Sequence, residues 1–132
     1  MNQQLEALGG AMREELAAIP ETMAQEEVRR QALVWLLAGA VKGMGLTPVM
    51  NWRPPKSTRE RIDLVGVRPG SHPPVVEVAF VVDPLVELTK VRSLEWVECP
   101  HKVVVSFSER ADKVSQSTFF LTPQLQHLAL YK

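Results

Sequence analysis

Hydrophobic positions near the start of the chain recur with the period of a helix. In residues 3–18 apolar side chains return every three or four positions, which predicts a first helix, at Leu5, Leu8, Met12 and Leu16. A second helix is predicted from Thr22, because Thr22 and Gln25 have the spacing of a capping box, to about Met44. Arg29 and Arg30 lie outside its apolar stretch, so we expect them on its solvent-exposed face.

The pattern then changes to short runs rich in β-branched residues, which indicate strands. An almost unbroken run at residues 75–82 predicts a strand buried on both faces. Asp83-Pro84 has the residue types that begin helices, so a third helix is predicted to about Val97. The predicted strands are residues 47–52, 61–67, 75–82, 102–107 and 118–122. This order predicts an α/β fold with helices packed on a central mixed sheet.

Size and composition indicate one globular domain. The chain has 132 residues, 45% of them hydrophobic, and its 15 basic and 15 acidic residues give no net charge. Nucleic-acid binding would therefore need a local basic patch. Cys99 is the single cysteine, so no disulfide can form within the chain. The longest apolar run, residues 32–41, is about half of the ~20 residues that a membrane span requires. We expect a soluble cytoplasmic protein that does not bind membranes.

Two carboxylates interrupt the apolar strands. Asp63 and Glu77 stand in the middle of the second and third strands, where packing alone would favour an aliphatic residue. If these strands form a hairpin, opposed residues have side chains on the same face. A short turn would pair Asp63 with either Glu77 or Ala79, which would bring the two acids to about 5 or 7 Å at Cβ.

Two neighbouring acids that are partly removed from water need a compensating charge. One interpretation is a hard divalent cation, since Mg²⁺ is typically held by one or two carboxylates and water. The other is a structural role, in which the acids lie at a sheet edge or pair with Arg59 or Arg61. Spacing alone leaves both interpretations open.

The element order and the two strand acids resemble the restriction-endonuclease-like superfamily, the PD-(D/E)xK nucleases. The resemblance covers about residues 22–107, with 1–20 as an N-terminal helical extension and 108–132 as a C-terminal strand and tail of a single domain. It implies a three-layer α/β/α sandwich and a site in which Asp63 and Glu77 hold Mg²⁺ or Mn²⁺. An acid early in the preceding helix, Glu26 or Glu27, would join them as a metal ligand.

One residue departs from the pattern of that superfamily. Ala79 stands where the family has the lysine that orients or activates the attacking water. Lys90, or Arg92, on the following helix could supply this base and complete a catalytic set with Asp63 and Glu77. The resemblance therefore implies either a metal-dependent endonuclease or an inactive module of nuclease fold that binds protein or nucleic acid.

A basic segment precedes Asp63 and is the predicted nucleic-acid contact. It contains four cations within nine residues, Arg53, Lys56, Arg59 and Arg61. The alternative is a solvated loop stiffened by prolines. DNA is the expected ligand in preference to RNA, and a homodimer or a complex with a larger nuclease or helicase is the expected assembly.

Overall fold

A computed structural model describes residues 2–55, 61–86, 88–108 and 125–130. Three α-helices, one 3-10 turn and five strands lie in these ranges. In chain order they are α1 (Asn2–Ala18), the 3-10 turn Glu21–Met23, α2 (Glu26–Gly43), β1 (Thr47–Trp52), β2 (Ile62–Val67), β3 (Val76–Asp83), α3 (Leu88–Glu95), β4 (His101–Ser106) and β5 (Gln126–Ala129).

The five strands form one mixed sheet in the order β1-β2-β3-β4-β5. The first three strands are antiparallel neighbours, and β4 and β5 continue the sheet parallel to β3. The connection from β3 to β4 passes through α3, as a parallel pair requires a crossover. The predicted mixed α/β fold with a central mixed sheet is therefore confirmed.

Helices cover both faces of the sheet, so the hydrophobic core has two parts. On one face α1 and α2 pack against β2, β3 and β4, with Met12, Leu33 and Phe80 fully buried. On the other face α3 packs on the same strands through Val91 and Leu94. Strand β3 contributes to both clusters, as its β-branched run predicts, and it is buried throughout its second half.

Three predictions about element boundaries need correction or lie outside the described ranges. The second helix begins at Glu26 rather than Thr22, and its N-cap, Gln25, makes no side-chain capping bond. Asp83 does not begin a helix but ends β3. The predicted strand at 118–122 lies outside the described residues, and β5 was not predicted. Among the described helices, none is long and apolar enough to cross a membrane.

Candidate functional site

The register of β2 and β3 separates the two acids that the sequence suggested would meet. Val65 is opposite Ala79 and Leu64 is opposite Phe80, so continuing this register by one position would place Asp63 opposite Val81. The predicted pairing of Asp63 with Glu77 or Ala79 is therefore wrong. Glu77 lies four positions from Val81, or about 13 Å along the strand. The cause is a longer connection than predicted, from residue 68 to 75, together with a bulge between Gly66 and Val67.

Glu77 instead has a partner at the turn end of this hairpin. Arg68, the first residue after β2, donates a hydrogen bond from its guanidinium to Glu77 Oε1 and forms an ion pair with it. Both side chains are partly exposed, 60% for Arg68 and 26% for Glu77. The contacts of Glu77 are those of a surface ion pair, and the register gives it no place beside Asp63.

Asp63 closes the other end of the β2–β3 ladder with its side chain. The backbone pairing ends at Leu64 and Phe80, and beyond it Asp63 Oδ2 accepts a hydrogen bond from the Val82 backbone N–H at 2.7 Å. The carboxylate therefore takes the place that a strand carbonyl would fill. The Asp63 side chain points toward the neighbouring strand, whereas in a regular strand it would project from the face of the sheet.

A local change in backbone direction accounts for this orientation. Asn51, opposite Asp63 on β1, has a φ of 56°, in the left-handed region that asparagine tolerates better than most residues. Regular alternation would give Ile62 and Leu64 the same face. Ile62 packs instead in the core under α3, and Leu64 in the core under α2. The strand pair turns at Asp63, which parity along the sequence cannot predict.

Arg30 connects the first turns of α2 to the end of β3. Its Nε donates to the Val82 carbonyl at 3.0 Å, and its two terminal nitrogens donate to Glu27 Oε2 at 2.8 Å and to Asp83 Oδ1. Asp83 is only 3% exposed. The two backbone groups of Val82 thus receive side-chain partners from β2 and from α2. We call Arg30, Glu27, Asp63 and Asp83 the Arg30 network.

The charges in this network influence one another. Burial raises the pKa of Asp63 above its usual value of 3.8, although the Val82 N–H and the charges of Lys90 and Arg30 oppose the rise. Burial lowers the pKa of Arg30, but the carboxylates of Asp83, Glu27 and Asp63 outweigh it and leave the pKa raised. Arg30 therefore stays charged, and its guanidinium is the cation that these three acids share.

Lys90, the predicted base, lies on α3, close enough to Asp63 for its charge to lower the pKa of that carboxyl. The structure thus places Lys90 where its charge acts on Asp63. This relation follows from the packing of α3 on the face of the sheet that contains Val65, Ala79 and Val81.

The predicted nucleic-acid contacts lie at the same end of the sheet. The last pair of the β1–β2 ladder is Trp52 and Ile62. Arg53 directly follows Trp52, Arg61 directly precedes Ile62, and both arginines are exposed. The guanidinium of Arg61 donates to the Asn51 carbonyl at 3.2 Å. The other two predicted contacts, Lys56 and Arg59, are outside the described residues.

The residues present do not fit a divalent cation in this arrangement. Glu27 and Asp83 each accept a hydrogen bond from Arg30, and Asp63 accepts one from the Val82 N–H. Within the described ranges, no group of three or more His, Cys, Asp or Glu side chains could hold a metal ion. Mg²⁺ prefers nearly octahedral oxygen ligands, and one oxygen of each of these three carboxylates already accepts a hydrogen bond from the protein.

Two members of the network were missed by sequence reasoning. Arg30 was expected on the solvent face of α2, and Asp83 was expected to cap a helix. The available signal was an acid directly after a strand buried on both faces, at Val81-Val82-Asp83. A carboxylate in that position must find a partner, because an uncompensated buried charge is costly.

Comparisons with known proteins assign no function to these residues. No family model matches the chain, and no curated protein or solved structure is significantly similar to it. The geometry at the end of β2 and β3 is therefore the basis for a functional assignment.

Proposed function

We propose that this chain is a nucleic-acid-binding module of restriction-endonuclease-like fold that does not hydrolyse its ligand. The observation that carries the proposal is Arg30, whose guanidinium donates to Glu27 and Asp83 and whose charge also acts on Asp63. In an active nuclease of this kind, acids in these elements would hold a metal ion. Here a permanent cation of the chain itself compensates them.

The order of the elements supports the fold in this proposal. A helix, three antiparallel strands, a second helix and a parallel strand follow one another, with helices on both faces of the sheet. This is the arrangement expected of a three-layer α/β/α sandwich. The single cysteine of the chain, Cys99, fits the cytoplasmic location that such a module would have.

Positive charge at the same end of the sheet supports a nucleic-acid ligand. Arg53 and Arg61 are exposed beside the end of the β1–β2 ladder, and Lys90 approaches from α3. Guanidinium groups suit phosphate because their planar donors can bind two oxygens. Since the net charge is zero, such contacts would have to be local.

A binding measurement with fluorescent duplex DNA, single-stranded DNA and RNA tests this function. Fluorescence anisotropy should give an affinity for at least one of them that is the same in EDTA and in Mg²⁺. The affinity should fall with salt, because phosphate contacts release counterions. Arg61→Ala and Arg53→Ala should each reduce the slope of log K against log salt by about one.

Arg68→Ala is the matched control for these variants. It removes the same charge at the other end of β2, about 23 Å from Arg61 for seven residues of extended strand. The salt slope should not change in this variant. Absence of binding to all three probes at low salt, or equal effects of Arg68→Ala and Arg61→Ala, would contradict the proposal.

A Mg²⁺-dependent phosphodiesterase is the second candidate, and Lys90 favours it. The charge of Lys90 acts on Asp63, and Asp83 lies on β3 two positions after Val81. These three residues resemble a catalytic set in which the lysine is displaced to the following helix. Incubation of the three probes with Mg²⁺ or Mn²⁺ tests it. Cleavage that Asp63→Asn and Lys90→Met abolish, but Glu77→Gln leaves intact, would establish this enzyme in place of the binding module.

A further inference from the structure

A cavity of about 320 Å³ lies between α1 and β5, the last strand of the described sheet. Its volume is within the range of sites that bind small molecules. The described residues that line it are Glu6 and Arg13 of α1 and His127, Leu128 and Ala129 of β5. None of these residues belongs to the Arg30 network or to the predicted nucleic-acid contacts, so the cavity is separate from the site described above.

Two consecutive glycines in the middle of α1 contribute to this space. Glu6 and Arg13 are seven positions apart, so they lie on the same face of the helix and about 10 Å apart along its axis. Gly9 and Gly10 lie between them and have no side chains to fill the gap. A Cβ atom built at Gly10 would meet no atom within 4 Å, and one at Gly9 would lie 3.4 Å from Leu128 Cδ1. An acid and a base therefore stand on either side of a bare stretch of helix.

The guanidinium of Arg13 is held in place at this cavity. Its Nε donates to the Leu130 carbonyl, directly after β5, at 2.7 Å. Its two terminal nitrogens lie beside Gly9, 3.6 and 3.9 Å from the position of a built Cβ. Within the described part of the chain, neither these nitrogens nor the Glu6 carboxylate has a hydrogen-bond or ion-pair partner. The cavity thus offers an oriented cation and a carboxylate that do not compensate one another.

We propose that this cavity binds a short linear zwitterion, a molecule whose carboxylate and ammonium groups are separated by several atoms. The two terminal nitrogens of Arg13 would donate to the carboxylate, an arrangement that suits the planar guanidinium, and Glu6 would accept from the ammonium group. Leu128 and Ala129 offer apolar contacts to the chain between them. A simple anion would be repelled by Glu6 and a simple cation by Arg13. This inference does not rest on the proposed nucleic-acid binding.

An NMR titration of the full chain, labelled with ¹⁵N, tests the proposal with 4-aminobutyrate and 6-aminohexanoate. At least one of them should shift the backbone amides of Gly9, Gly10 and Ala129 in a saturable way, with a Kd of about 1 mM or lower. Hexanoate has the same carboxylate and chain without the ammonium group, and hexylamine lacks the carboxylate. Each of these two should bind at least about tenfold more weakly than the zwitterion, because one of its charges is missing.

Two variants separate the roles of the charged residues. Arg13→Gln should weaken binding of the zwitterion by about tenfold or more, although glutamine keeps a donor for the Leu130 carbonyl. Glu6→Gln should weaken binding of the zwitterion but strengthen binding of hexanoate, because it removes an ammonium partner and a repulsive charge together. Arg92→Gln on α3 and Glu14→Gln elsewhere on α1 remove the same charges from exposed positions and should change neither affinity.

Circular dichroism of each variant checks that it is folded. The absence of saturable shifts with both zwitterions up to about 20 mM would overturn the proposal. Hexanoate binding as tightly as 6-aminohexanoate would also overturn it, because the cavity would then recognise a carboxylate alone. So would equal effects of Arg13→Gln and Arg92→Gln, because binding would then not depend on the guanidinium in the cavity.

Discussion

The β2–β3 hairpin has an arginine–carboxylate pair at each end, and the two pairs differ in their surroundings. Arg30 and Asp83 have 26% and 4% of their side chains exposed, and Arg30 also donates to the Val82 carbonyl and to Glu27. Arg68 and Glu77 are 60% and 26% exposed. Arg30 comes from a helix more than 50 positions from Asp83, whereas Arg68 and Glu77 are separated by nine.

This difference shows that the same pair of groups can have different energetic roles. A surface ion pair gains little, because water screens the charges and two long side chains lose freedom. A buried pair need not stabilise the fold relative to an apolar pair, but the loss of one partner leaves a charge away from water. Variants that remove one partner of the Arg30 network should therefore reveal how much the remaining buried charge destabilises the fold.

The largest expected effect is that of Arg30→Met. Asp83 would remain buried without its guanidinium, so the free energy of unfolding should fall by about 3–5 kcal/mol. Urea denaturation at neutral pH measures this loss. Arg68→Met is the same substitution at the exposed end and should cost less than about 1 kcal/mol.

A double variant distinguishes a buried charge from lost packing. Arg30→Met combined with Asp83→Leu removes both charges, and it should be more stable than Arg30→Met alone. If Arg30→Met and Arg68→Met reduced the free energy of unfolding equally, burial would not distinguish the ion pairs at the two ends of the hairpin.

An intermediate effect is expected at Asp63. Asp63→Ala leaves the Val82 N–H without its acceptor, which should reduce the free energy of unfolding by about 1–3 kcal/mol. Asp63→Asn keeps an acceptor oxygen and should recover part of this loss. If Asp63→Asn and Asp63→Ala were equally unstable, the hydrogen bond to Val82 would not explain the position of the carboxylate.

The raised pKa of Asp63 gives a pH dependence of known sign. The folded protein takes up a proton at a higher pH than the unfolded chain, so this group makes stability decrease as pH rises through the shifted pKa. Wild type should therefore gain stability relative to Asp63→Asn as pH falls toward the ordinary value of 3.8. Urea titrations of both proteins across this range give the difference, and the opposite slope would contradict the cause assigned to the shift.

The smallest effect is expected at Glu77. Glu77→Gln breaks the surface pair with Arg68, so the free energy of unfolding should change by less than about 1 kcal/mol. The register places Glu77 far from Asp63, so this substitution should bring no gain from relief of repulsion. Thermal melts of the variant at low and high salt measure the change, and a clear stabilisation would indicate that the two acids do interact.

The spacing of hydrophobic residues predicted the helices and strands well, because it depends only on residues that are close together in the sequence. The strand at 47–52 agrees with β1, and the run of β-branched residues agrees with β3, which is buried on both faces. Register was not predictable in the same way. It depends on a connection of eight residues and on one bulge, and a shift of two positions keeps the same pattern of faces.

The partners of Arg30 and Asp83 could not be predicted for a related reason. Periodicity assigns Arg30 to a face of α2, but it does not reveal that the end of β3 lies above that face. Asp83-Pro84 has the chemistry of a helix N-cap, which is local, and its actual partner is 53 positions away in the sequence. Long-range compensation of a buried charge becomes apparent only when the fold is known.

We expect the acids at this end of the sheet to be compensated by Arg30 and not by a metal ion. The most direct measurement is the melting temperature of wild type in EDTA and in millimolar Mg²⁺ or Mn²⁺, compared with Asp83→Asn. A cation bound to the folded state raises the melting temperature by linkage. We expect no change in the melting temperature with either metal, whereas a clear rise that Asp83→Asn abolishes would show that these acids bind a metal ion.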